Sequence, residues 1–271
     1  GTPQRRNPNF SNIRYKRADA QSFYDSLQLS VMARPAAGAM AQASYTLSKS
    51  TDDGSAALGR LEFSNGQART VDPYNVKLNR GPSDFDVRHS LSVNFTWALP
   101  FTGRGGLHDV LVEGWQISGI FTALSGIPMT PFFTFDHDRD GTTDNEQWPN
   151  LAPGLTEPRT ISRTQVFSAD DFVLPAIGTR GRFGRNQIYG PGLVTFDPAL
   201  SKEFYFSGDR TRSAQLRIEA FNVFNRANFA LPTVGNLTVF TSPTQRNPTA
   251  GMITRTQTPG RQVQLAMVIS F

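Results

Sequence analysis

Apolar residues fall on every second position through seven separate stretches of the chain. In Ser22 to Arg34, Leu27, Leu29, Val31 and Ala33 oppose Ser26, Gln28, Ser30 and Arg34. In Ala39 to Ser50, Ala39, Ala41, Ala43, Tyr45 and Leu47 oppose Gln42, Ser44, Thr46 and Ser48. Ser90 to Leu99 sets Leu91, Val93, Phe95, Trp97 and Leu99 against Ser90, Ser92, Asn94 and Thr96. Glu113 to Ala123 sets Trp115, Ile117, Gly119, Phe121 and Ala123 against Gln116, Ser118 and Thr122. Val194 to Phe206 alternates in the same way, with Lys202 on the apolar face near a strand end, where a long cation can snorkel. Ser213 to Phe224 puts Leu216, Ile218 and Ala220 against Gln215, Arg217 and Glu219. Its period breaks at Phe221, which predicts a bulge or a strand end there. The last stretch places Val263, Leu265, Met267, Ile269 and Phe271 on one side and Gln262, Gln264 and Ser270 on the other, with Ala266 and Val268 between them. A period of two marks strands with one oily and one wet face.

The connections alternate in length. Pro35 to Gly38, Thr102 to Asp109 and Ser207 to Arg212 are short. Thr51 to Asp86, Pro128 to Gly192 and Asn225 to Gly260 are long, roughly 35, 65 and 35 residues. A compact water-soluble meander has no reason to gather its long loops at one end, and a loop of that size argues against one. Outer-membrane barrels do it as a rule, with short periplasmic turns and long outside loops. Trp97, Phe101, Trp115, Phe204, Phe206 and Phe271 all fall near the short-turn ends, where an interfacial aromatic girdle belongs. The wet faces carry Arg34, Asp197, Glu203, Arg217 and Glu219, which a sandwich core accepts only with partners and a polar lumen accepts freely.

Composition agrees. The mean hydropathy is -0.36 and no run of about 18 apolar residues exists, so no helical span is expected, while barrel strands keep mean hydropathy low by alternating. There is no cysteine, hence no disulfide and no thiolate metal site. The net charge of +5 is spread over loops and strand ends without a basic helix or stripe, so nucleic acid is not an expected partner. The chain opens on Gly1-Thr2-Pro3 with neither Met nor signal peptide. That start is expected of the carboxy-terminal piece of a longer exported protein.

Several segments resemble one family. Tyr45-Thr46-Leu47-Ser48-Lys49-Ser50 with Asp52-Asp53-Gly54 is similar to the strand and loop entry of Oar-like TonB-dependent transporters. So are Arg80-Gly81-Pro82-Ser83-Asp84-Phe85-Asp86-Val87-Arg88-His89, Gly114-Trp115-Gln116-Ile117-Ser118-Gly119, Gly184-Arg185-Asn186 and Gly190-Pro191-Gly192. Ala220-Phe221-Asn222-Val223-Phe224-Asn225 resembles a penultimate-strand motif of TonB-dependent receptors at large. The resemblance implies an all-β fold. The chain is expected to form an antiparallel transmembrane β-barrel segment, about seven or eight strands of a 22-stranded barrel. Residues 1–271 are then the carboxy-terminal portion, with neither plug nor amino-terminal domain. It further implies outer-membrane lipid around the apolar face and the barrel-assembly machinery as receiver of the strand ending in Phe271. The TonB complex would engage a segment outside this sequence.

The sharpest site-like motif is Asp136-His137-Asp138-Arg139-Asp140-Gly141-Thr142-Thr143-Asp144-Asn145-Glu146. Carboxylates at alternate positions followed by Gly resemble a calcium loop, so Asp136, Asp138, Asp140, Asp144 and Glu146 are the candidate Ca²⁺ ligands. Gln147 stands where an EF-hand needs Glu, and no helices flank the motif. The alternative is a solvated acidic loop, and a bound ion would stiffen the loop rather than catalyse. His89, His108 and His137 are too dispersed for a zinc site. No nucleophile elbow and no phosphate loop occurs, so an enzyme is not expected. Asp84, Asp86, Arg88 and His89 form a charged cluster at a strand mouth, expected to be a salt-bridged rim. The triplets at Asn94 and Asn236 match glycosylation acceptors by chance.

The residues expected to face lipid are Leu91, Val93, Phe95, Trp97, Val263, Leu265, Met267 and Ile269, with closed-ladder pairing to satisfy the backbone. The expected function is transport of an unidentified ligand. The alternatives are a surface structural or adhesion barrel, and a soluble secreted β-sandwich binding protein.

Overall fold

The computed structural model describes residues 19–55, 72, 75–103, 106–140, 147–206 and 212–271. Seven long strands form where the alternation predicts them: β1 (Ser22–Ala33), β2 (Ala39–Asp52), β3 (His89–Ala98), β4 (Trp115–Leu124), β5 (Leu193–Tyr205), β6 (Ser213–Phe221) and β7 (Gln262–Ser270). They lie in sequence order in one antiparallel sheet, with β1 and β7 at its two edges among the described residues. Up-and-down order follows from the short turns, which leave each strand beside the one before it.

Register turns seven local patterns into one surface. Leu29 faces Tyr45, Tyr45 faces Leu91, and Leu91 faces Ala123. Val93 faces Phe121, Phe121 faces Phe196, and Leu200 faces Ile218. Ile218 then faces Leu265, and Leu216 faces Met267. Directly opposed residues point to the same side of a sheet. The apolar set of every strand therefore shares one face, and Gln42, Asn94, Ser118, Asp197, Arg217 and Gln264 share the other. A slip of one residue in any ladder would turn that strand inside out.

The turn from β1 to β2 needs Gly38. Its φ is +71°, and a Cβ there would come within 2.9 Å of the Ala98 carbonyl on β3. The turn from β3 to β4 carries one short helix, α1 (Leu107–Val112), and most of the β5–β6 turn, residues 207–211, lies outside the described residues. The expected break near Phe221 is a strand end: Asn222 takes φ +49°, donates its backbone N–H to the Asp197 carboxylate at 2.7 Å, and sends its side chain to Arg226 and Pro259 carbonyls. This left-handed Asn leads the chain off the ladder.

The core does not sit under the sheet. Of the buried hydrophobic residues described, only Ala214 belongs to a long strand; the rest, among them Met129, Phe132, Phe133, Phe167, Phe172, Ile188, Val239 and Phe240, lie in the connections after β4 and β6. Those two loops fold together into a cap at the long-loop end. Phe132 and Val239 exchange backbone hydrogen bonds with each other's segment (Phe132 N–H to Leu237 O, Val239 N–H to Phe132 O), and Val166 N–H donates to Gly251 O. Phe167 and Phe183 each meet Phe172 edge-on, at 5.7 and 5.2 Å between centroids. Each fully buried ring contributes about 1.5–3 kcal/mol to holding the described parts of these connections together. Among the described residues no second sheet covers the apolar face of the long strands; the other ladders are two-stranded pairs within the loops.

Candidate functional site

At the mouth of the sheet, three segments far apart in sequence are bolted together. Arg185, from the loop after β4, is largely buried. Its guanidinium lies 2.5 Å from a carboxylate oxygen of Asp52 at the end of β2 and donates to the Asp52 carbonyl at 2.6 Å. Its Nε donates to Asn79 O at 2.8 Å, and its other nitrogen reaches Ser55 Oγ at 2.9 Å. The neighbouring Asn186 donates to Pro82 O at 2.8 Å and to the Asp84 carboxylate, and accepts from Thr130 Oγ1 at 2.9 Å. The Gly81–Pro82 segment meanwhile pairs with Thr51 and Asp52 as a short extension of the sheet.

Asp86 is the second bolt. It is 1% exposed. Its carboxylate accepts from Ser50 N–H at 2.6 Å and from the Tyr189 hydroxyl at 2.8 Å, and pairs with Arg88 Nε at 2.8 Å. A carboxylate buried this far is stable only with such a full set of donors. Burial, first, lifts the Tyr189 phenol above its ordinary value; Arg88 draws it down and the Asp86 carboxylate raises it again. The neutral phenol is thus the form that donates to Asp86.

Of the expected rim, Asp84, Asp86 and Arg88 form ion pairs, whereas His89 is hydrogen-bonded to Tyr45 instead, and the network reaches further than these residues. Arg185, Asn186 and Tyr189 complete it. Gly184-Arg185-Asn186 stood out in the sequence only as a motif; no spacing rule connects it to Asp52, 133 residues away. His89 sits at the start of β3 with Tyr45 Oη 2.8 Å from its Nδ1.

A cleft of about 800 Å³ opens on the cap beside these bolts, with Asn150, Glu157, Arg182, Phe183 and Gln187 among its lining. A smaller depression of about 250 Å³ lies on the polar face of the sheet, between Asn94, Asp197, Arg217 and Glu219.

In the acidic loop, carboxylate oxygens of Asp136, Asp138 and Asp140 come within 4.8 Å of one another, the oxygen-rich setting a hard cation takes. Asp144 and Glu146 lie outside the described residues. Both oxygens of Asp138 are already engaged, one by Gln147 Nε2 at 2.6 Å and the other by Arg180 Nε at 3.2 Å, and Arg180 also pairs with Asp72. His137 lies apart from the other histidines, 2.8 Å from Pro175 O through Nε2.

The strand residues expected to face lipid all fall on the apolar face, and β7 leaves Leu265 76% exposed. Topology puts Trp97, Phe101, Trp115, Phe204, Phe206 and Phe271 at the short-turn end. Lys202 is only 5% exposed on that face: its ammonium donates to Glu113 and Glu203 carbonyls and lies 5.7 Å from the Trp115 ring and 5.0 Å from the Phe204 ring. Carbonyls and aromatic faces thus make the cation acceptable where the alternation exposes it to an apolar surface.

The family model described as an outer membrane beta barrel domain matches residues 1–264. No curated protein and no solved structure matches the chain.

Proposed function

Because the chain belongs to the outer membrane beta barrel domain family and so resides in the bacterial outer membrane, we propose that it is the carboxy-terminal part of an Oar-like TonB-dependent transporter barrel. One observation carries the lipid-facing half of this reading: among the described residues the buried apolar side chains lie almost wholly in the cap, while the alternating apolar residues of seven strands share one face that no other described layer covers. In water such a face is an aggregation surface; in a bilayer it is the low-energy solution. Leu91, Val93, Phe95, Trp97, Val263, Leu265, Met267 and Ile269 then touch hydrocarbon. A water-soluble sandwich, the reading that buries such a face against a second sheet, finds no second sheet for it among the described residues.

Bacterial barrels of this kind have an even number of strands, so the seven long strands among the described residues are a sector of a larger barrel, 22 strands in the proposed family. The polar face, with Asp197, Arg217 and Glu219, lines the interior. Phe271 closes the strand that the assembly machinery receives, and TonB engages a segment outside this sequence. Cap and rim support ligand capture, because a buried polar network and an aromatic core hold the described parts of the outer loops together. The chain's part is binding and passage rather than bond-making chemistry. A calcium role for the acidic loop rests, among the described residues, on Asp136, Asp138 and Asp140, with Arg180 as competitor for Asp138; calcium titration of the purified protein is its test.

The test of the main reading uses the natural full-length protein from an outer-membrane fraction. The expected results are gel mobility that shifts on boiling and retention on the immobilised periplasmic domain of TonB. A heat-modifiable barrel that TonB does not retain would replace transport by a surface structural or adhesive role.

A further inference from the structure

The cleft on the cap has a chemistry of its own. Its wall is fixed by two backbone N–H donors: Phe183 N–H donates to Pro149 O at 3.1 Å and Arg182 N–H to the side-chain Oδ1 of Asn150 at 2.8 Å. A Cβ on Gly181 would fall 1.8 Å from the Trp148 carbonyl, so the two strands of chain touch backbone to backbone. Asn150 and Leu151 are themselves paired with Val173 and Phe172, and Phe183 packs on buried Phe172. The cleft is therefore preformed by the aromatic core beneath it, and at about 800 Å³ it lies in the range of about 300–1,000 Å³ typical of small-ligand sites.

Its charges nearly cancel. Arg180, at the edge, is neutralised by Asp72 and Asp138 at 2.5 and 3.2 Å. Arg182 and Glu157 remain, one of each sign, and among the described residues neither makes an ion pair. Around them stand the Thr156 hydroxyl, the Asn150 amide, whose Oδ1 accepts from Arg182 N–H and whose NH2 can donate, the Gln187 amide, whose Nε2 donates to Arg185 O and whose oxygen can accept, and the apolar surface of Phe183. An anion would require surplus positive charge. A peptide would require enclosed apolar pockets for its side chains. A ligand whose groups each donate and accept, with apolar C–H faces between them, matches both features.

We propose that this cleft binds a short neutral oligosaccharide. The inference rests on the outward-facing cap of the transporter reading and adds a ligand class to it. The site also touches the rim: Gln187 donates to the carbonyl of Arg185 at 2.8 Å, the residue clamped to Asp52. The cleft thus lies one hydrogen bond from the junction of cap and sheet.

The experiment is an array of neutral oligosaccharides, acidic oligosaccharides and short peptides, probed with the natural full-length protein in a detergent lacking a sugar headgroup. Arg182→Ala and Glu157→Gln are probed in parallel, each first shown to keep its heat-dependent gel shift. The expected result is retention by one or more neutral oligosaccharides, weakened at least tenfold in both variants. No retention by neutral sugars, retention by acidic sugars or peptides alone, or unchanged binding in either folded variant would overturn the proposal. Because the array is read without TonB, sugar binding without TonB retention overturns only the transport reading, and the reverse overturns only the cleft.

Discussion

Arg185 and Asp52 are joined twice, guanidinium to carboxylate and guanidinium to backbone carbonyl, and the pair ties the cap's base to the last residue of β2. Both side chains are about nine-tenths buried, so loss of the guanidinium leaves the Asp52 carboxylate without its cation, held by the Gly54 and Ser55 N–H groups. Arg185→Met is expected to cost about 3–5 kcal/mol of local stability. Arg185→Lys should restore little of it, since an ammonium cannot span Asp52, Asn79 and Ser55 from one planar fork. Limited proteolysis in intact outer membranes is the measurement: cleavage in the 126–192 loop should rise sharply in both variants while the boiled-to-unboiled gel shift persists.

Tyr189 makes the rim sensitive to alkali. Its phenol is raised above the ordinary value of 10.0, first by burial and then by Asp86 against the opposing pull of Arg88. A group whose folded value lies above its unfolded value contributes fully below the unfolded value and loses that contribution as pH climbs through the folded one. The Tyr189–Asp86 bond should hold through pH 10 and fail above it. Tyr189→Phe is expected to lower local stability by about 1.5–3 kcal/mol at neutral pH, the range for a hydrogen bond to a charged group, and to flatten the alkaline part of the profile. Protease susceptibility of the cap against pH reads both; an unchanged profile in the variant would remove Tyr189 from the rim.

The two faces of the sheet predict opposite tolerance to the same substitution. Val93→Arg and Leu265→Arg place a cation in hydrocarbon at about 2–4 kcal/mol near the bilayer midplane and should impair membrane assembly. Ser92→Arg and Gln264→Arg, one residue away on the polar face, should assemble normally. Equal behaviour of the two pairs in a heat-modifiability assay would refute the face assignment.

Gly81 and Gly119 separate a rigid from a yielding contact. A Cβ at Gly81 would lie 2.6 Å from the Arg185 backbone carbonyl, which the rim network holds in place. At Gly119 the nearest atoms are ring edges of Phe95 and Phe196, at 2.9 and 3.1 Å, and side chains can turn aside. Gly81→Ala is expected to cost about 1–3 kcal/mol by overpacking, and Gly119→Ala less. Cap proteolysis should detect the first, and thermal unfolding of the barrel should show little change for the second.

The acidic loop shows where local pattern stops. Alternate carboxylates at Asp136, Asp138 and Asp140 are plain in the sequence and do converge. What cannot be seen there is that Arg180, forty-two residues on, pairs with Asp138. The rim teaches the same lesson from the other side. Asp84, Asp86 and Arg88 stand out by their density of charge, whereas nothing in the sequence ties Ser50 or the isolated Tyr189 to Asp86 before folding sets them against it.

From the sequence alone came the seven strands, their two faces, their up-and-down order and the end at which the long loops gather. Those properties follow from a period of two and from short turns, both local. Only the tertiary structure decided that two long loops share an aromatic core, that Arg185 closes on Asp52, and that a preformed cleft lies beside them. Loop residues obey no period, so their partners are chosen by the burial of Phe133, Phe167, Phe172 and Phe240 together and by the demand that each buried charge find its donors. Both are conditions on the folded chain as a whole.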